Sequence, residues 1–502
     1  MNLAVLGERN VERFGAYVSI VFEGLEQTNV QLLDQGSRMA TAMAGLGVGP
    51  GDRVAVMLPN SPAVGVSYGG ILRCGGVVVP MIFLLAPPEI RHILDDCAAK
   101  VVITSPEFHP NVAAAIDGMA EAPAVIVTDA APEGTIPFDG LLGDATRPHP
   151  IVDRDPTDLA VISYTSGTTG EPKGVMLTHA NLLFNAENSA KVSNVRDDDI
   201  SISVLPLAHL FGLGNTLVGQ LFKVHGVILR WFTPEGVLDA MRTYRANSTA
   251  LVPAMVQLML ATPGFDDVDW SSLRYAIVAA APVPQEMADE FERRTGARVL
   301  QGYGLTETSP TVSVMRLDDP RKPGSCGRPA PNVEVTIRDD AEDVLPPGEQ
   351  GEVCVRGANV MAGYYNRPEA TAEVIRDGWF HTGDIGYLDD EGFLFITDRK
   401  KDLIIRGGFN IYPRDIEEII FQHPAVQECA VVGVPDEMMG EEVKAFVVLR
   451  PGQQATEAEI LELCRQHLSV RKAPRWVEFL DALPKNAVGK ILKRELRARA
   501  TS

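Results

Sequence analysis

Residues 164–174 read YTSGTTGEPKG, a glycine-rich stretch with four serine and threonine hydroxyls and one lysine, Lys173. Backbone N–H groups, hydroxyls and an ammonium all bind phosphate oxygens. A Walker loop requires G-x-x-x-x-G-K-[ST] between a strand and a helix. Here the lysine stands between a proline and a glycine, and strand-like patterns flank the stretch on both sides. The sequence predicts a strand–loop–strand phosphate clamp, with a plain glycine-rich turn as the alternative.

Four later segments also combine residues that could do chemistry: QGYGLTET (301–308), WFHTGDIG (379–386), DRKKDLIIRGGFNIYP (398–413) and LPKNAVGKILKREL (483–496). Between Arg471 and Arg499, nine Lys/Arg stand against three Asp/Glu, although the whole chain carries a net charge of −21. Such a basic segment indicates either a phosphorylated ligand or a solvated terminal helix. Taken singly, the GYG triplet is typical of a turn and the DRKKD run of a solvated face.

In this order, the five segments resemble the signature motifs of the adenylate-forming superfamily, and of its acyl-CoA synthetases in particular. The resemblance runs from about residue 30 to residue 496. It implies that ATP and Mg²⁺ convert a carboxylic acid into an acyl-adenylate, and that the thiol of coenzyme A then takes the acyl group. The two approaching anions need a lysine and a metal to neutralise the developing charge. This chemistry requires no side-chain nucleophile, and the sequence has no G-x-S-x-G elbow.

The resemblance assigns most of the nucleotide site. Its phosphate-binding residues are Thr165, Ser166, Gly167, Thr168, Thr169, Gly170 and Lys173. Its adenine-binding residues are Ala280, Ala281, Pro282, Gly302, Tyr303 and Gly304, and Asp384 and Arg399 bind ribose and phosphate. Lys490 is the expected catalytic lysine, Thr306 contacts phosphate, and Glu307 holds Mg²⁺ because a hard carboxylate oxygen suits that ion.

The acid and thiol sites follow from the same resemblance. The acyl pocket is assigned to Phe211, Asn215, Val252, Met255, Ala279 and Pro310, with the strand near VPAMVQ as part of its lining. Because most of these residues are apolar, they predict an aliphatic or aryl acid. His209 in PLAHLFG is expected to lie between nucleotide and acid as a gate, against the plainer hypothesis of a structural histidine. The coenzyme A channel is assigned to Gly407, Gly408, Arg471 and Lys472; an acyl carrier protein is the alternative acceptor.

The pattern of elements predicts an α/β fold. Helical and strand-like segments alternate over residues 1–160 and again over 200–305, with ALVPA (250–254) as one strand, which indicates parallel sheets covered by helices. Short β segments with glycine turns after residue 320 indicate a small β-barrel. The predicted domains are 1–397, with a β-rich part at about 320–397, and a mobile α+β domain at 398–502 with its hinge at Lys401. The N-terminal segment 1–25 matches the family poorly and receives no role.

Composition limits the other function classes. With 45% hydrophobic and 22% charged residues among 502, the chain is typical of a globular protein. The net charge of −21 argues against a general nucleic-acid or membrane-surface binder. Six scattered cysteines without a C-x-x-C pair, and an N-terminus that does not resemble a signal peptide, predict a cytoplasmic location. The most apolar stretch, residues 75–86, is broken by Pro80 and is too short for a bilayer span.

Overall fold

The computed structural model describes residues 1–144, 148–165, 172–281, 283–407, 409–436, 438–469, 472–485 and 491–501. The chain forms two compact units. The first unit comprises residues 1–334 and 355–380, and the second comprises residues 335–354 and 381–502. The boundary at residue 397 and the hinge at Lys401 stay predictions.

The α-helices of the described ranges are α1 (Val5–Phe14), α2 (Asn29–Gly45), α3 (Pro62–Arg73), α4 (Pro87–Cys97), α5 (His109–Ile116), α6 (Phe138–Asp144), α7 (His179–Val192), α8 (Leu210–Leu221), α9 (Pro234–Tyr244), α10 (Pro253–Ala261), α11 (Gln285–Thr295), α12 (Pro368–Val374), α13 (Pro413–Phe421), α14 (Glu457–His467) and α15 (Lys493–Thr501). Short 3₁₀ helices cover Trp270–Ser272, Thr306–Thr308 and Lys400–Asp402.

The strands are β1 (Val18–Phe22), β2 (Leu25–Thr28), β3 (Arg53–Met57), β4 (Val77–Pro80), β5 (Val101–Thr104), β6 (Ala124–Val127), β7 (Ile136–Pro137), β8 (Leu159–Thr165), β9 (Lys173–Thr178), β10 (Ile200–Ser203), β11 (His225–Ile228), β12 (Ser248–Leu251), β13 (Tyr275–Val278), β14 (Arg298–Gly304), β15 (Thr311–Val314), β16 (Arg328–Pro329), β17 (Val333–Arg338), β18 (Gly351–Gly357), β19 (Gly363–Tyr364), β20 (Ile375–Arg376), β21 (Trp379–Leu388), β22 (Leu394–Arg399), β23 (Ile404–Arg406), β24 (Phe409–Ile411), β25 (Val426–Asp436), β26 (Gly440–Leu449) and β27 (Trp476–Phe479).

One sheet of the first unit has, within the described ranges, eight strands in the order β19-β9-β8-β4-β3-β5-β6-β7. Strands β3, β4 and β5 are apolar runs, and nearly all of their residues are buried. Continuous apolar runs are expected of parallel strands that helices cover on both faces. Helices α3 and α4 connect these parallel strands, so the βαβ rhythm predicted over residues 1–160 is confirmed.

A second sheet of this unit has nine described strands, in the order β16-β15-β14-β13-β12-β10-β11-β1-β2. Strands β10, β12, β13 and β14 run parallel, so their carboxyl ends share one edge. The prediction of a strand over ALVPA is wrong at its end, because β12 stops at Leu251 and α10 begins at Pro253. Proline has no N–H to donate, and it fits the first turn of a helix.

The N-terminal segment 1–25, to which the sequence assigns no role, forms part of this second sheet. Helix α1 is followed by β1, which lies parallel to β11 and antiparallel to β2. Asn2 and Asn29 bind backbone carbonyls and other groups of the same unit through buried side chains. The N-terminal segment is therefore an integral part of the first unit.

The second unit contains a sheet in the order β24-β23-β26-β25, with β27 parallel to β26. Helices α13 and α14 cover it, and Ile416, Ile420 and Ile460 of these helices are fully buried. In the same unit β21 pairs antiparallel with β22. The α+β texture predicted after residue 398 is confirmed. Within the described residues, no helix combines the length and the apolar character needed to cross a membrane.

Candidate active site

The glycine-rich stretch of residues 164–174 lies between two antiparallel strands. Strand β8 ends at Thr165 and β9 begins at Lys173, and these two residues are partners in the ladder. The Tyr164 hydroxyl donates to Asp96 Oδ2 at 2.6 Å, and a ring nitrogen of His92 lies 3.1 Å from the Pro172 carbonyl oxygen. The predicted strand–loop–strand arrangement is confirmed at its two ends. The predicted phosphate-binding residues Ser166, Gly167, Thr168, Thr169 and Gly170 lie outside the described residues.

Two of the predicted site residues, Lys173 and Glu307, contact the same side chain. The Lys173 Nζ lies 5.1 Å from the centroid of the Tyr364 ring. The Tyr364 hydroxyl donates a hydrogen bond of 2.9 Å to Glu307 Oε1. Burial, reinforced by the charge of Glu307, raises the pKa of Tyr364, so the phenol keeps its proton and acts as a donor. Tyr364 thus joins the residue predicted to bind phosphate to the residue predicted to hold Mg²⁺.

QGYGLTET spans the end of β14 and the 3₁₀ helix Thr306–Thr308. A Cβ atom on Gly304 would lie 1.7 Å from the Pro310 carbonyl oxygen, so this approach of β14 to the following segment requires glycine. Beyond it, Asn185 Oδ1 accepts from the Thr311 N–H at 3.0 Å, and Asn359 Nδ2 donates to the Thr311 carbonyl at 2.9 Å. Two buried asparagines therefore fix the segment that follows Glu307.

Helix α7 brings Asn185 to this segment, and its start is fixed by a capping box. Thr178 Oγ1 accepts from the Asn181 N–H at 3.1 Å, and Asn181 Oδ1 accepts from the Thr178 N–H at 2.9 Å. The Asn181 amide also donates to the carbonyls of Ala358 and Val360. Such caps satisfy N–H groups that the first helical turn leaves without partners. The same helix start thus holds the chain that leads into β19.

Sequence reasoning missed Tyr364, Asn185 and Asn359. Their roles depend on contacts between segments distant in the chain, which spacing does not reveal. The only available signal was the Gly363-Tyr364 pair in AGYYNRPEA (362–370), a glycine next to an aromatic residue.

The residues present fit a magnesium ion that is bound together with a nucleotide. The described residues contain no group of three or more His, Cys, Asp or Glu side chains able to hold a metal by themselves. Mg²⁺ is commonly bound through one or two carboxylates, with water and substrate phosphates as the other ligands. Glu307 supplies one carboxylate and Thr306 a neighbouring hydroxyl, and both are hard oxygen donors.

The predicted adenine segment AAAP contains an unusual backbone conformation. Ala280 has a φ of +72°, in the left-handed region that residues with a Cβ rarely occupy. Ala279 is half-buried and directly follows β13, whereas Ala280 and Ala281 are exposed. Pro282 lies outside the described residues. Strained backbone of this kind concentrates at ligand-binding sites.

We expect Ala280→Gly to raise the free energy of unfolding by about 1 kcal/mol, because glycine adopts this φ without the Cβ clash. Urea unfolding without ligands measures the change. Ala279→Gly is the matched control, since Ala279 is not among the described residues with positive φ. We expect that control to lose about 0.5 kcal/mol through the added freedom of the unfolded chain. Equal losses in both variants would contradict the strain at Ala280.

His209 begins α8 as its N-cap residue. Its Nδ1 accepts a 3.3 Å hydrogen bond from the Phe211 N–H, which requires a lone pair on that nitrogen. Burial lowers the pKa of His209, so the imidazole is neutral at neutral pH. A Cβ on Gly212 would lie 2.4 Å from the Pro206 carbonyl oxygen, so glycine allows the helix to pack against the preceding loop. The structure therefore gives His209 a capping role, and the predicted gating role stays a prediction.

Four of the residues assigned to the acyl pocket follow neighbouring strands of the second sheet or lie on α8. Val252 follows β12 as the N-cap of α10, and Ala279 follows β13. Because β12 and β13 are parallel neighbours, both residues lie at the carboxyl edge, where α/β sheets bind ligands. Phe211 and Asn215 are four residues apart on α8, which places them on one helix face.

The other two residues assigned to the acyl pocket, Met255 and Pro310, have a different place in the secondary structure from these four. Met255 lies in α10, the helix that follows β12, and it packs against the core beneath the helix. Pro310 follows the 3₁₀ helix Thr306–Thr308. Both side chains are half-buried.

In the second unit, Asp384 and Arg399 are partners in the β21–β22 ladder. Arg399 Nε lies 3.2 Å from Asp384 Oδ1, and only 4% of Asp384 is exposed. The Asp384 N–H donates to Thr382 Oγ1 at 3.0 Å, which links these two residues within β21. The structure thus brings together the two residues predicted to bind ribose and phosphate.

The predicted hinge and thiol channel also belong to the second unit. Lys401 lies in a 3₁₀ helix whose next residue, Asp402, pairs with Arg497 at 2.8 Å. Gly407 has a φ of +58° and donates its N–H to the Met439 carbonyl at 2.7 Å. The Lys472 ammonium pairs with Asp415 at 2.8 Å. Gly408, Arg471 and Lys490 lie outside the described residues.

Comparison with family models gives two matches. The model of the AMP-binding enzyme family matches residues 7–365, which is more than half of the chain. The model of the AMP-binding enzyme C-terminal domain matches residues 415–490. The expectation that the resemblance begins near residue 30 is wrong, because the first match starts at residue 7.

The chain is also similar over nearly its whole length to curated enzymes. It is 40% identical to a feruloyl-CoA synthase of Amycolatopsis sp, over 95% of this chain and 94% of that protein. It is 36% identical to a long-chain-fatty-acid–CoA ligase of Bacillus subtilis, over 96% of this chain and 92% of that protein. It is 39% identical to an indoleacetate–CoA ligase of Aromatoleum aromaticum, over 95% of this chain and 94% of that protein.

Solved structures show the same relationship. The anthranilate CoA ligase AuaEII in complex with anthranoyl-AMP superposes with a TM-score of 0.93 at 29% identity, over 100% of this chain and 97% of that one. ATP-bound MatB from Rhodopseudomonas palustris superposes with a TM-score of 0.92 at 33% identity, over 100% of this chain and 99% of that one.

Proposed function

This chain belongs to the AMP-binding enzyme family, and we propose that it is an AMP-forming acid–CoA ligase. In the first step, a carboxylate oxygen attacks the α-phosphorus of ATP, and the bond to pyrophosphate breaks to give acyl-AMP. In the second step, the thiol of coenzyme A attacks the acyl carbonyl, loses its proton, and displaces AMP. The products are acyl-CoA, AMP and pyrophosphate.

The observation that carries this proposal is the shared contact of Lys173 and Glu307 with Tyr364. It supports a site in which a cation for phosphate and a carboxylate for Mg²⁺ belong to one arrangement in the first unit. In this proposal Thr306 contacts phosphate and Lys490 neutralises charge between the carboxylate and the α-phosphate, where fixed positive groups have their largest effect on rate. Asp384 and Arg399 bind ribose and phosphate.

The acceptor we propose is coenzyme A, and the metal is Mg²⁺. The curated relatives are named as CoA ligases or a CoA synthase, which favours coenzyme A over an acyl carrier protein. Gly407, Gly408, Arg471 and Lys472 would line the path of the thiol. The cytoplasmic location predicted from the cysteines is part of this proposal, and none of the six cysteines, all within the described residues, forms a disulfide.

The proposed acid is aliphatic or aryl. The assigned pocket is apolar at Phe211, Val252 and Met255 and small at Ala279. Asn215 supplies an amide on the same helix face as Phe211, and it would bind a polar substituent of the acid. The names of the relatives cover both acid types, since they refer to feruloyl, indoleacetate and long-chain fatty acyl groups.

A panel of acids tests this proposal. We expect ATP–pyrophosphate exchange only when an acid is present, and AMP release over many turnovers only when coenzyme A is added. Ferulate, indole-3-acetate, octanoate and palmitate separate aryl from aliphatic specificity. Replacing coenzyme A with a phosphopantetheinylated carrier protein tests the alternative acceptor. ATP hydrolysis that does not depend on an acid would contradict the proposed function.

A further inference from the structure

Tyr364 occupies a position that connects two groups of opposite charge. The Lys173 ammonium lies over the face of its ring at 5.1 Å from the centroid, and its hydroxyl donates to Glu307 Oε1 at 2.9 Å. The same side chain therefore contacts a cation through its ring and an anion through its hydroxyl. Both charged groups belong to the proposed nucleotide site.

The backbone around Tyr364 is fixed on both sides. Strand β19 pairs with β9, with Tyr364 opposite Val175, and the Tyr364 N–H donates to Thr371 Oγ1 at 2.8 Å. The Met361 N–H donates to the Glu307 carbonyl at 2.9 Å, so the same segment also holds the backbone of Glu307. Only 8% of Tyr364 is exposed. A side chain held this firmly can orient its partners.

The residue before Tyr364 has a conformation that glycine allows. Gly363 has a φ of +138°, and a Cβ there would lie 2.8 Å from Thr371 Cγ2. Glycine at this position lets β19 pass close to Thr371 and present Tyr364 to both partners.

The two contacts of Tyr364 have complementary chemistry. A protonated phenol donates a strong hydrogen bond to a carboxylate, because the acceptor is charged. The face of an aromatic ring attracts an ammonium through its quadrupole. Neither contact transfers charge, so the ammonium keeps its attraction for phosphate and the carboxylate keeps its attraction for a metal.

We infer that Tyr364 is a positioning residue that aligns Glu307 for the metal and Lys173 for the phosphates of the bound nucleotide. The inference rests on the proposed function. It predicts separable effects, since the hydroxyl acts on Glu307 and the ring acts on Lys173.

Metal binding in Tyr364→Phe is the first test. This variant keeps the ring and loses the hydroxyl, and we expect its affinity for Mn²⁺ in the presence of ATP, without an acid, to fall about fivefold, the value of one hydrogen bond. Free Mn²⁺ measured by electron paramagnetic resonance reports this affinity without catalysis. Binding of AMP without metal should match the wild type, which controls for folding. The half-saturating Mg²⁺ concentration in pyrophosphate exchange should rise by a similar factor.

Two further variants keep the inference falsifiable. Tyr365→Phe removes one hydroxyl from the adjacent tyrosine, and we expect wild-type Mn²⁺ affinity. Tyr364→Leu also removes the ring beside Lys173, and we expect an additional rise in the KM for ATP. Wild-type Mn²⁺ affinity in a Tyr364→Phe protein that binds AMP normally would overturn the inference, as would an equal loss in Tyr365→Phe. Absence of acid-dependent exchange in the wild type would instead contradict the proposed function, and the Mn²⁺–ATP titration would still decide the role of Tyr364.

Discussion

Lys490→Ala should lower acid-dependent ATP–pyrophosphate exchange by about 10²–10³-fold, the usual effect of removing one group that stabilises transition-state charge. The expectation rests on the sequence LPKNAVGKILKREL and on the C-terminal family match, which extends to residue 490. ATP affinity should change little, because Lys173 and the other assigned phosphate-binding residues remain. Exchange at saturating acid, together with equilibrium ATP binding, measures the two effects separately.

Lys485→Ala is the matched control for this variant. Lys485 belongs to the same segment, and its ammonium pairs with Glu428 at 2.5 Å. We expect near wild-type exchange in this control, because a partly exposed ion pair contributes little. Transfer from preformed acyl-AMP to coenzyme A should survive in Lys490→Ala, since the proposed role of that lysine ends with the first step. Equal activities of the two variants would contradict the assignment of Lys490.

Gly304→Ala should destabilise the first unit by about 3 kcal/mol and abolish nucleotide binding with it. The new Cβ would lie 1.7 Å from a backbone carbonyl oxygen, that of Pro310. Pro310 directly precedes β15, which pairs with β14, so its backbone cannot move aside as the end of a flexible side chain can. Urea unfolding and ATP binding measure the two losses.

Gly302→Ala provides a control from the same predicted adenine segment. A Cβ at that position would meet its nearest neighbours, Ser313 O and Val314 Cγ2, at 3.5 Å, which is ordinary van der Waals contact. We expect its stability to remain within about 1 kcal/mol of the wild type. If both variants unfolded at the same urea concentration, steric crowding would not be the reason why position 304 requires glycine.

The sequence predicts those parts of the molecule in which local pattern and tertiary structure agree. Apolar runs separated by helical segments indicate the parallel sheets, and strand-like residues on both sides of YTSGTTGEPKG indicate the pair β8 and β9. The apolar residues of ALVPA indicate a strand as far as residue 254, yet Pro253 fits the first turn of a helix, and α10 begins there. The N-terminal segment 1–25 carries no recognised motif, and its place in the second sheet depends on pairing with β11, which is distant in the chain.

The site is predictable as a set of motifs and not as a set of contacts. The motifs assign Asp384 and Arg399 separately, and the structure adds that they are partners across two strands. Tyr364 escapes sequence reasoning, because its significance depends on the simultaneous approach of Lys173 and Glu307. A hydrogen bond from a buried phenol to a carboxylate is a tertiary feature that the residue types alone leave open.

The hairpin of β1 and β2 bears on how this chain can be shortened. It carries none of the assigned site residues, yet β1 is the strand that pairs with β11 on the side away from β10. Removal of the hairpin would leave the N–H and C=O groups of β11 unpaired along one side. An open strand edge invites pairing with another molecule and aggregation. The minimal catalytic fragment therefore has to keep the N-terminal residues, because they cover the edge of β11 in the sheet that carries the ends of β12, β13 and β14.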